Sequence, residues 1–107
     1  MKLLSRSDEL LLLAVYRLQE EAYAFTIRNQ LKKVTGKSWA YGALYISLER
    51  LAERGYLSSY LSKPSPERGG KSKRLYRLTH EGINVLNEIK EVAKTMWEGL
   101  GELKIEG

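Results

Sequence analysis

Basic side chains and glycines crowd one stretch of the sequence, residues 63–82. Its first fifteen residues carry six Lys or Arg against one acid, a balance of +5 that equals the formal net charge of the whole chain. Lysine and arginine at this density are suited to binding polyanions, above all the phosphates of nucleic acids. The alternative is a solvated surface loop that is basic only for solubility. The candidate phosphate contacts are the side chains of Lys63, Arg68, Lys71, Lys73 and Arg74 and the backbone amides of Gly69 and Gly70.

The remaining composition narrows the class of protein. The chain has 107 residues and no cysteine, so it fits one domain and has neither a disulfide nor a cysteine nucleophile. Residues 81–107 hold six Glu and three Lys, a balance of −3, and residues 1–80 therefore carry +8. Residues 10–16 form the longest apolar run, which is too short to span a bilayer, and we expect a cytoplasmic protein. We find no nucleophile–base pair and no companion ligands for the single histidine, His80, so we predict no enzyme, metal site or cofactor.

Three helices precede the basic stretch. Ser5 or Ser7 is suited to cap the first, and Gly36 to end the second. The predicted core side of the second helix comprises Phe25 or Ile27, with Leu31 and Val34. The third segment is the most regular, and its apolar residues recur at helical spacing at Leu44, Leu48 and Leu51 before Gly55 ends the run.

A β-hairpin and a long helix complete the chain. The proline and glycine residues of the basic stretch are bracketed by Leu57, Leu61, Leu75 and Leu78, which predicts a hairpin with a long tip. Thr79 is suited to cap the last helix, in which a coiled-coil-like spacing links Val85, Ile89, Val92 and Met96. The predicted fold class is mostly α with a β-hairpin, namely a winged helix-turn-helix plus one long C-terminal helix. Residues 1–79 would form the DNA-binding domain and residues 80–107 the C-terminal helix, the part that the family resemblance described next marks as the dimerisation helix.

Two segments, WAYGALYISLERLAERGYLSSYL and GGKSKRLYRLTHEG, resemble the PadR family of winged-helix transcriptional regulators. The matching positions are Gly42, Leu44, Tyr45, Leu48, Leu51, Gly55, Tyr56, Leu57, Tyr76, Leu78, Thr79 and Gly82. The chain departs from the family at residues 23–26, which read YAFT where the family has a His-Gly-Tyr-Glu-like signature. It also has Ala40 and Tyr41 where Ser-Pro is frequent. The resemblance implies a homodimeric repressor of the short subfamily, which binds double-stranded DNA and dimerises through its last and first helices.

The start of the third helix supplies further candidate DNA contacts. Tyr41 and Tyr45 either pack on the core or offer their hydroxyls to phosphates and base edges, while the missing side chain of Gly42 admits the DNA backbone. Further candidates for phosphate contact precede this helix or lie on the second one: Lys37, Ser38, Arg28 and Lys32. No arginine or asparagine stands near the helix start as a base reader, so part of the discrimination is expected to come from DNA shape.

Some short-subfamily members are similar to multidrug-sensing repressors that hold flat aromatic ligands between two subunits. The residues of this sequence that would line such a site are Leu11, Val15, Ala93, Met96 and Trp97. The alternative interpretation of this set is a plain hydrophobic interface between two copies.

Two rival functions of the whole chain also stay open. One is a winged helix that binds a protein partner without sequence-specific DNA binding, and the other is an RNA or single-strand binder that uses its exposed tyrosines.

Overall fold

A computed structural model describes residues 3–106, apart from the side chain of Arg68. The described residues form four α-helices and a two-stranded antiparallel hairpin, which confirms the predicted fold class. The helices are α1 (Arg6–Leu18), α2 (Ala24–Thr35), α3 (Tyr41–Glu53) and α4 (His80–Trp97). The strands are β1 (Leu57–Leu61) and β2 (Arg74–Leu78), and short 3-10 turns lie at Gln19–Glu21 and Pro66–Arg68.

The helix boundaries follow the capping residues of the sequence. Ser5, rather than Ser7, caps α1, because its Oγ accepts a hydrogen bond from the backbone N–H of Asp8 at 3.1 Å. Gly36 ends α2 in the left-handed conformation, with φ of 77°, and its N–H donates to the carbonyl of Lys32 at 2.8 Å. Thr79 caps α4 as predicted, accepting from the N–H of Gly82 at 3.1 Å.

Leucines and other aliphatic residues of the first three helices fill the core. The large side chains that are fully buried are Leu11, Leu12, Val15, Ile27, Leu44, Leu48 and Leu51. The regular leucine spacing of α3 therefore gave its core side correctly. On α2 the core residues are Ile27 and Leu31, whereas Phe25 and Val34 are 53% and 65% exposed. The prediction of Val34 as a core residue was wrong. Residues 32–38 are all exposed, so the last turn of α2 does not pack against the core.

The hairpin is tied to the helices through its second strand. Leu57 pairs with Leu78 at the base, and Leu61 pairs with Arg74 where the long tip begins. On its other edge, β2 is held by a hydrogen bond of 2.9 Å from the Tyr76 N–H to the carbonyl of Ala22, just before α2. Tyr76 and Ala22 are both buried. The strands are therefore anchored to the body, and the tip extends from this fixed base.

The end of α3 and the start of α4 meet in a close backbone contact. The Thr79 N–H donates to the carbonyl of Tyr56 at 3.1 Å, and the Thr79 hydroxyl donates to the carbonyl of Gly55. A side chain at Gly82 would put its Cβ only 2.3 Å from the Tyr56 carbonyl oxygen, so this position requires glycine. These contacts fix the direction in which α4 leaves the body.

Only the first half of α4 packs on the rest of the chain. Val85 is buried, and Leu86 and Ile89 are partly buried against the core. Every residue from 91 to 106 is exposed. Within residues 3–106, none of the helices combines the length and hydropathy needed to cross a bilayer. The division of the chain between residues 79 and 80 stays a prediction.

Candidate nucleic-acid interface

The exposed face of α3 lies opposite the leucines that anchor the helix. Because a helix turns about 100° per residue, the positions that point away from Leu44, Leu48 and Leu51 follow directly from their numbers. They are Gly42, Ile46, Glu49 and Glu53. Tyr41 and Tyr45 flank this face and are 40% and 48% exposed. Neither tyrosine belongs to the buried core, so both present part of their rings to solvent.

Gly42 keeps the first turn of this face clear. Among the described residues, no atom lies within 4 Å of the place where a Cβ would stand. Its backbone is ordinary α-helix, so no special φ requires glycine there. A helical glycine costs about 0.5–1 kcal/mol relative to alanine. Gly42 therefore differs from Gly82, whose missing side chain is needed by the fold itself.

Arg28 holds the N-terminus of α3 in place. Its Nε donates to the carbonyl of Trp39 at 2.6 Å, and its guanidinium lies 4.7 Å from the centre of the Tyr41 ring. This combination of a hydrogen bond and a cation–π contact joins α2 to the first turn of α3. Arg28, predicted as a phosphate contact, thus has an intramolecular role and is half-buried. The other candidates of this region, Lys32, Lys37 and Ser38, are exposed around the turn between α2 and α3.

A buried acid fixes the other end of α3. Asp8 is 4% exposed, and its Oδ1 accepts from Arg50 Nη2 at 2.7 Å. Its Oδ2 lies 3.9 Å from Nη1 of Arg54. Buried carboxylates need such partners, because an unpaired charge in the interior is costly. The ion pairs therefore lock the orientation of α3 relative to α1.

The tip of the hairpin is closed by its own backbone. Gly69 and Gly70 have φ of 64° and 80°, in the left-handed region that favours glycine. The Gly69 N–H donates to the carbonyl of Pro66 at 3.1 Å, and the Gly70 N–H donates to the carbonyl of Ser65 at 2.9 Å. The prediction that these amides contact phosphate is therefore corrected: both donors are used to close the turn. Lys71 is exposed beside them, and the Arg68 side chain lies outside the described residues.

Two of the predicted basic residues lie at the base of the tip and contact the body. Lys73 Nζ is 4.2 Å from the centre of the Tyr23 ring, which in turn stacks on Phe25 with ring centres 6.4 Å apart. Arg74 donates from Nη1 to Ser59 Oγ across the hairpin at 3.0 Å and is exposed. Lys73 is thus a half-buried link between β2 and the start of α2, whereas Arg74 presents its charge to solvent.

The Tyr76 hydroxyl marks the junction between the hairpin and α3. Burial raises the pKa of Tyr76 above its ordinary value of 10.0, while Arg74 acts in the opposite direction and Glu49 and Tyr45 raise it further. Among the described residues, this hydroxyl is a buried polar group without a hydrogen-bond partner. Its electrostatic neighbours come from β2 and from the outward side of α3. The basic hairpin and the exposed face of α3 therefore meet at Tyr76.

A groove of about 570 Å³ runs between α1 and α4. Its apolar walls include Leu13 and Tyr16 of α1 and Leu86, Ala93 and Trp97 of α4, and charged residues line its edge: Arg6, Glu9 and Lys90. The groove contains Ala93 and Trp97 from the predicted ligand site. The assignment of the α1 side is corrected, because Leu11 is fully buried in the core and Val15 lines a separate recess of about 310 Å³. Met96 is 71% exposed and lies outside the groove lining.

In residues 3–106 we find no group of three or more His, Asp or Glu side chains arranged to hold a metal ion.

Known proteins resemble this chain in sequence and in fold. A profile of the transcriptional regulator PadR-like family matches residues 12–88. The chain belongs to the PadR-like family. The match extends from the middle of α1 to the buried half of α4, so it covers the whole candidate interface.

Solved PadR-like structures share this architecture. A PadR-like transcription factor from Bacteroides fragilis is 26% identical, with a TM-score of 0.73, and the alignment covers 86% of this chain and 84% of that one. A PadR family regulator from Eggerthella lenta is 29% identical, with a TM-score of 0.67 and coverage of 90% and 81%. A PadR-like regulator from Bacillus cereus, at 24% identity and a TM-score of 0.66, shows the same fold over 91% and 96% of the two chains. A comparison with curated protein sequences gave no match.

Sequence reasoning missed the residues that hold α3 in place. From the sequence alone, Asp8 is interpreted as a first-turn acid that complements the helix dipole, and Arg50 and Arg54 as exposed charges on α3. The missed signal was positional, because Asp8 lies on the same helical stripe as Leu11, Leu12 and Val15, all of them buried. An acid that continues a core stripe needs a cation from another element. The contact of Arg28 with Trp39 and Tyr41 gave no comparable sequence signal.

Proposed function

We propose that this PadR-like chain is a homodimeric repressor that inserts α3 into the major groove of duplex DNA and sets the hairpin tip against the adjacent backbone. The observation that carries the proposal is Gly42. It leaves open space on the outward face of α3, at a cost in helix stability, and no atom of residues 3–106 as described fills that space. A face kept clear in this way suits the close approach of another molecule. The hydroxyls of Tyr41 and Tyr45 flank it and supply donors for phosphates and base edges.

The distribution of charge supports DNA as that molecule. The hairpin contributes a local charge balance of +5. Arg74 at its base and Tyr45 of α3 both act electrostatically on Tyr76, so the basic hairpin and this side of α3 are neighbours. Lys71 at the tip and Lys37 before α3 add exposed positive charge. A surface that combines an apolar helix face with basic flanks suits a DNA groove and its bordering phosphates.

Dimerisation through α4 is supported by its exposed apolar residues. The helix α4 has 18 residues and a marked apolar side. Its apolar residues Val92, Met96 and Trp97 are nevertheless 44%, 71% and 55% exposed. An apolar stripe of this kind is unfavourable in water unless another surface covers it. The groove between α1 and α4 offers a matching apolar surface, and a twofold dimer would bury both copies of each at once. The two copies of α3 would then meet successive major grooves.

A small aromatic ligand in this groove is the proposed means of release. Trp97 offers a flat ring for stacking, and Leu86 and Ala93 line the same wall. Such a ligand changes DNA affinity only if it binds one dimer geometry more tightly than another. Repression itself follows from occupancy, because a dimer that covers two major grooves excludes other proteins from that DNA.

The salt dependence of duplex binding tests the proposal. We would titrate a labelled generic duplex with the protein at several salt concentrations and follow fluorescence anisotropy. Binding through phosphates requires a steep negative slope of log affinity against log salt, about 0.9 per contact. The variant Lys71→Ala/Arg74→Ala should flatten the slope by about 3.6, since two contacts are lost on each of two subunits. The control Lys94→Ala/Lys104→Ala removes two exposed charges from the C-terminal part of the chain and should leave the slope unchanged.

The same titration separates the rival functions. A winged helix that serves only as a protein-interaction module predicts a flat slope or no binding at low salt. An RNA or single-strand binder predicts that single strands compete at least as well as the duplex. Equal loss of slope in both double variants would contradict a specific role of the hairpin.

A further inference from the structure

Ile46 is an exposed aliphatic residue at the centre of the outward face of α3. It is 67% exposed, although isoleucine is among the residue types most often buried. Counting about 100° per residue, Ile46 points almost directly away from the three buried leucines of the helix. Gly42 lies one turn before it on the same face, and the small residue Ala43 is exposed beside them. The first half of the helix therefore offers an apolar surface that another molecule can approach closely.

The polar side chains of α3 leave little capacity for hydrogen bonding to base edges. The one arginine in its sequence, Arg50, donates to the buried Asp8 at 2.7 Å. The helix contains no Lys, Asn or Gln, and Arg and Asn are the usual bidentate readers of guanine and adenine. Glu49 and Glu53 follow on the outward face, where phosphates would repel them, which restricts close approach to the first half of the helix. At the centre of this face, between the flanking hydroxyls of Tyr41 and Tyr45, direct readout must therefore rely on apolar contact.

We infer that Ile46 is a specificity-determining residue that contacts the 5-methyl group of a thymine in the major groove. Thymine is the base that presents an apolar group there, and an aliphatic side chain matches it where a polar one does not. The inference rests on the proposed function, since it requires α3 to enter the major groove. It adds that one position in each half-site is an A·T pair chosen through its methyl group.

Removing that methyl group without changing base pairing tests the inference. A duplex that binds the wild-type protein would first be selected from a randomised pool. Each thymine would then be replaced in turn by deoxyuridine, and affinity measured by anisotropy at one fixed salt concentration. At one thymine per half-site, the replacement should weaken wild-type binding about fourfold, the factor for one buried methyl-sized group, and about sixteenfold when both half-sites are changed.

The variant Ile46→Ala should bind the thymine and deoxyuridine duplexes equally well at that position. Because Ile46 is exposed, this variant should fold, and its thermal melt verifies that it does. Val34→Ala is the matched control, since it shortens an aliphatic residue of similar exposure, 65%, outside α3 and should keep the full discrimination. Ile46→Val, which retains a branched side chain, should keep most of it.

The inference is overturned if deoxyuridine has no effect at any thymine, or if Ile46→Ala discriminates as strongly as the wild type. Either result can occur while salt-dependent duplex binding persists, so the proposed function would stand without the inference. Absence of duplex binding by the wild type overturns both together. In that case Ile46 would be assigned to a protein partner instead.

Discussion

Replacing Gly42 by alanine should move stability and DNA affinity in opposite directions. The added Cβ has no atom of the described residues within 4 Å, and the backbone there is helical, so the fold accepts it without strain. Alanine in the middle of a helix is favoured over glycine by about 0.5–1 kcal/mol, and we take the lower end of that range because Gly42 lies in the first turn of α3. For a domain of this size, a gain of about 0.5 kcal/mol corresponds to a rise in melting temperature of about 2–4 °C.

DNA affinity should fall in the same variant. If the clear face of α3 accepts a closely packed base edge or backbone, an extra methyl group there costs about 1–3 kcal/mol per subunit. That cost corresponds to a loss of about 5- to 150-fold in affinity for each half-site. Circular dichroism melts at a fixed protein concentration and anisotropy titrations of a duplex measure the two effects on one preparation.

Gly82→Ala provides the matched comparison, because its Cβ would clash with the Tyr56 carbonyl oxygen at 2.3 Å and should lower the melting temperature. A Gly42→Ala protein that is more stable and binds DNA as tightly as the wild type would refute the role given to the outward face. A Gly42→Ala protein that is less stable would refute the reading of that space as open.

Three further outcomes are expected. Asp8→Ala should lower the free energy of unfolding by about 1–2 kcal/mol, which is less than for a fully buried ion pair because the Arg50 side chain is 46% exposed. A double-mutant cycle with Arg50→Ala should show that the stability effects of the two substitutions are coupled. Burial raises the pKa of Tyr76 above 10.0, so the unfolded chain releases that proton first and stability falls as pH rises past this value. Denaturant midpoints at about pH 8 and about pH 10.5 should therefore differ less in Tyr76→Phe than in the wild type, and an equal difference would exclude this contribution. Val92→Asp/Trp97→Asp should yield a monomer in sedimentation experiments at concentrations where the wild type is a dimer, and a wild type that is itself monomeric would contradict dimerisation through α4.

Local patterns gave the elements of this fold because the physics that fixes them is local. The leucine spacing of α3 and the caps at Gly36 and Thr79 depend on neighbours within one or two turns. The hairpin followed from leucines that bracket proline and glycine residues. These features were predicted correctly from the sequence.

Pairings between distant elements escaped prediction. The Asp8–Arg50 bond joins residues 42 positions apart, and the chemistry of either residue alone fits a solvated surface charge equally well. The amides of Gly69 and Gly70 were assigned to phosphates because glycines permit close approach, but turn closure uses both donors. Leu11 lies on an apolar helix, and periodicity alone did not show which side of that helix faces the core and which faces the groove.

The backbone contact between Tyr56, Thr79 and Gly82 has a mechanical consequence. It joins the segment that follows α3 to the start of α4 through hydrogen bonds, so a rotation of α4 relative to the helical body would have to break them. The chain measures 60 Å along its greatest dimension, and every residue of α4 from 91 onward is exposed. A slight tilt where two such helices cross would therefore swing the far ends through a much larger arc. In the proposed dimer, a change of spacing between the two α3 helices would therefore need only a tilt at the contact between the subunits, with no bending inside either subunit.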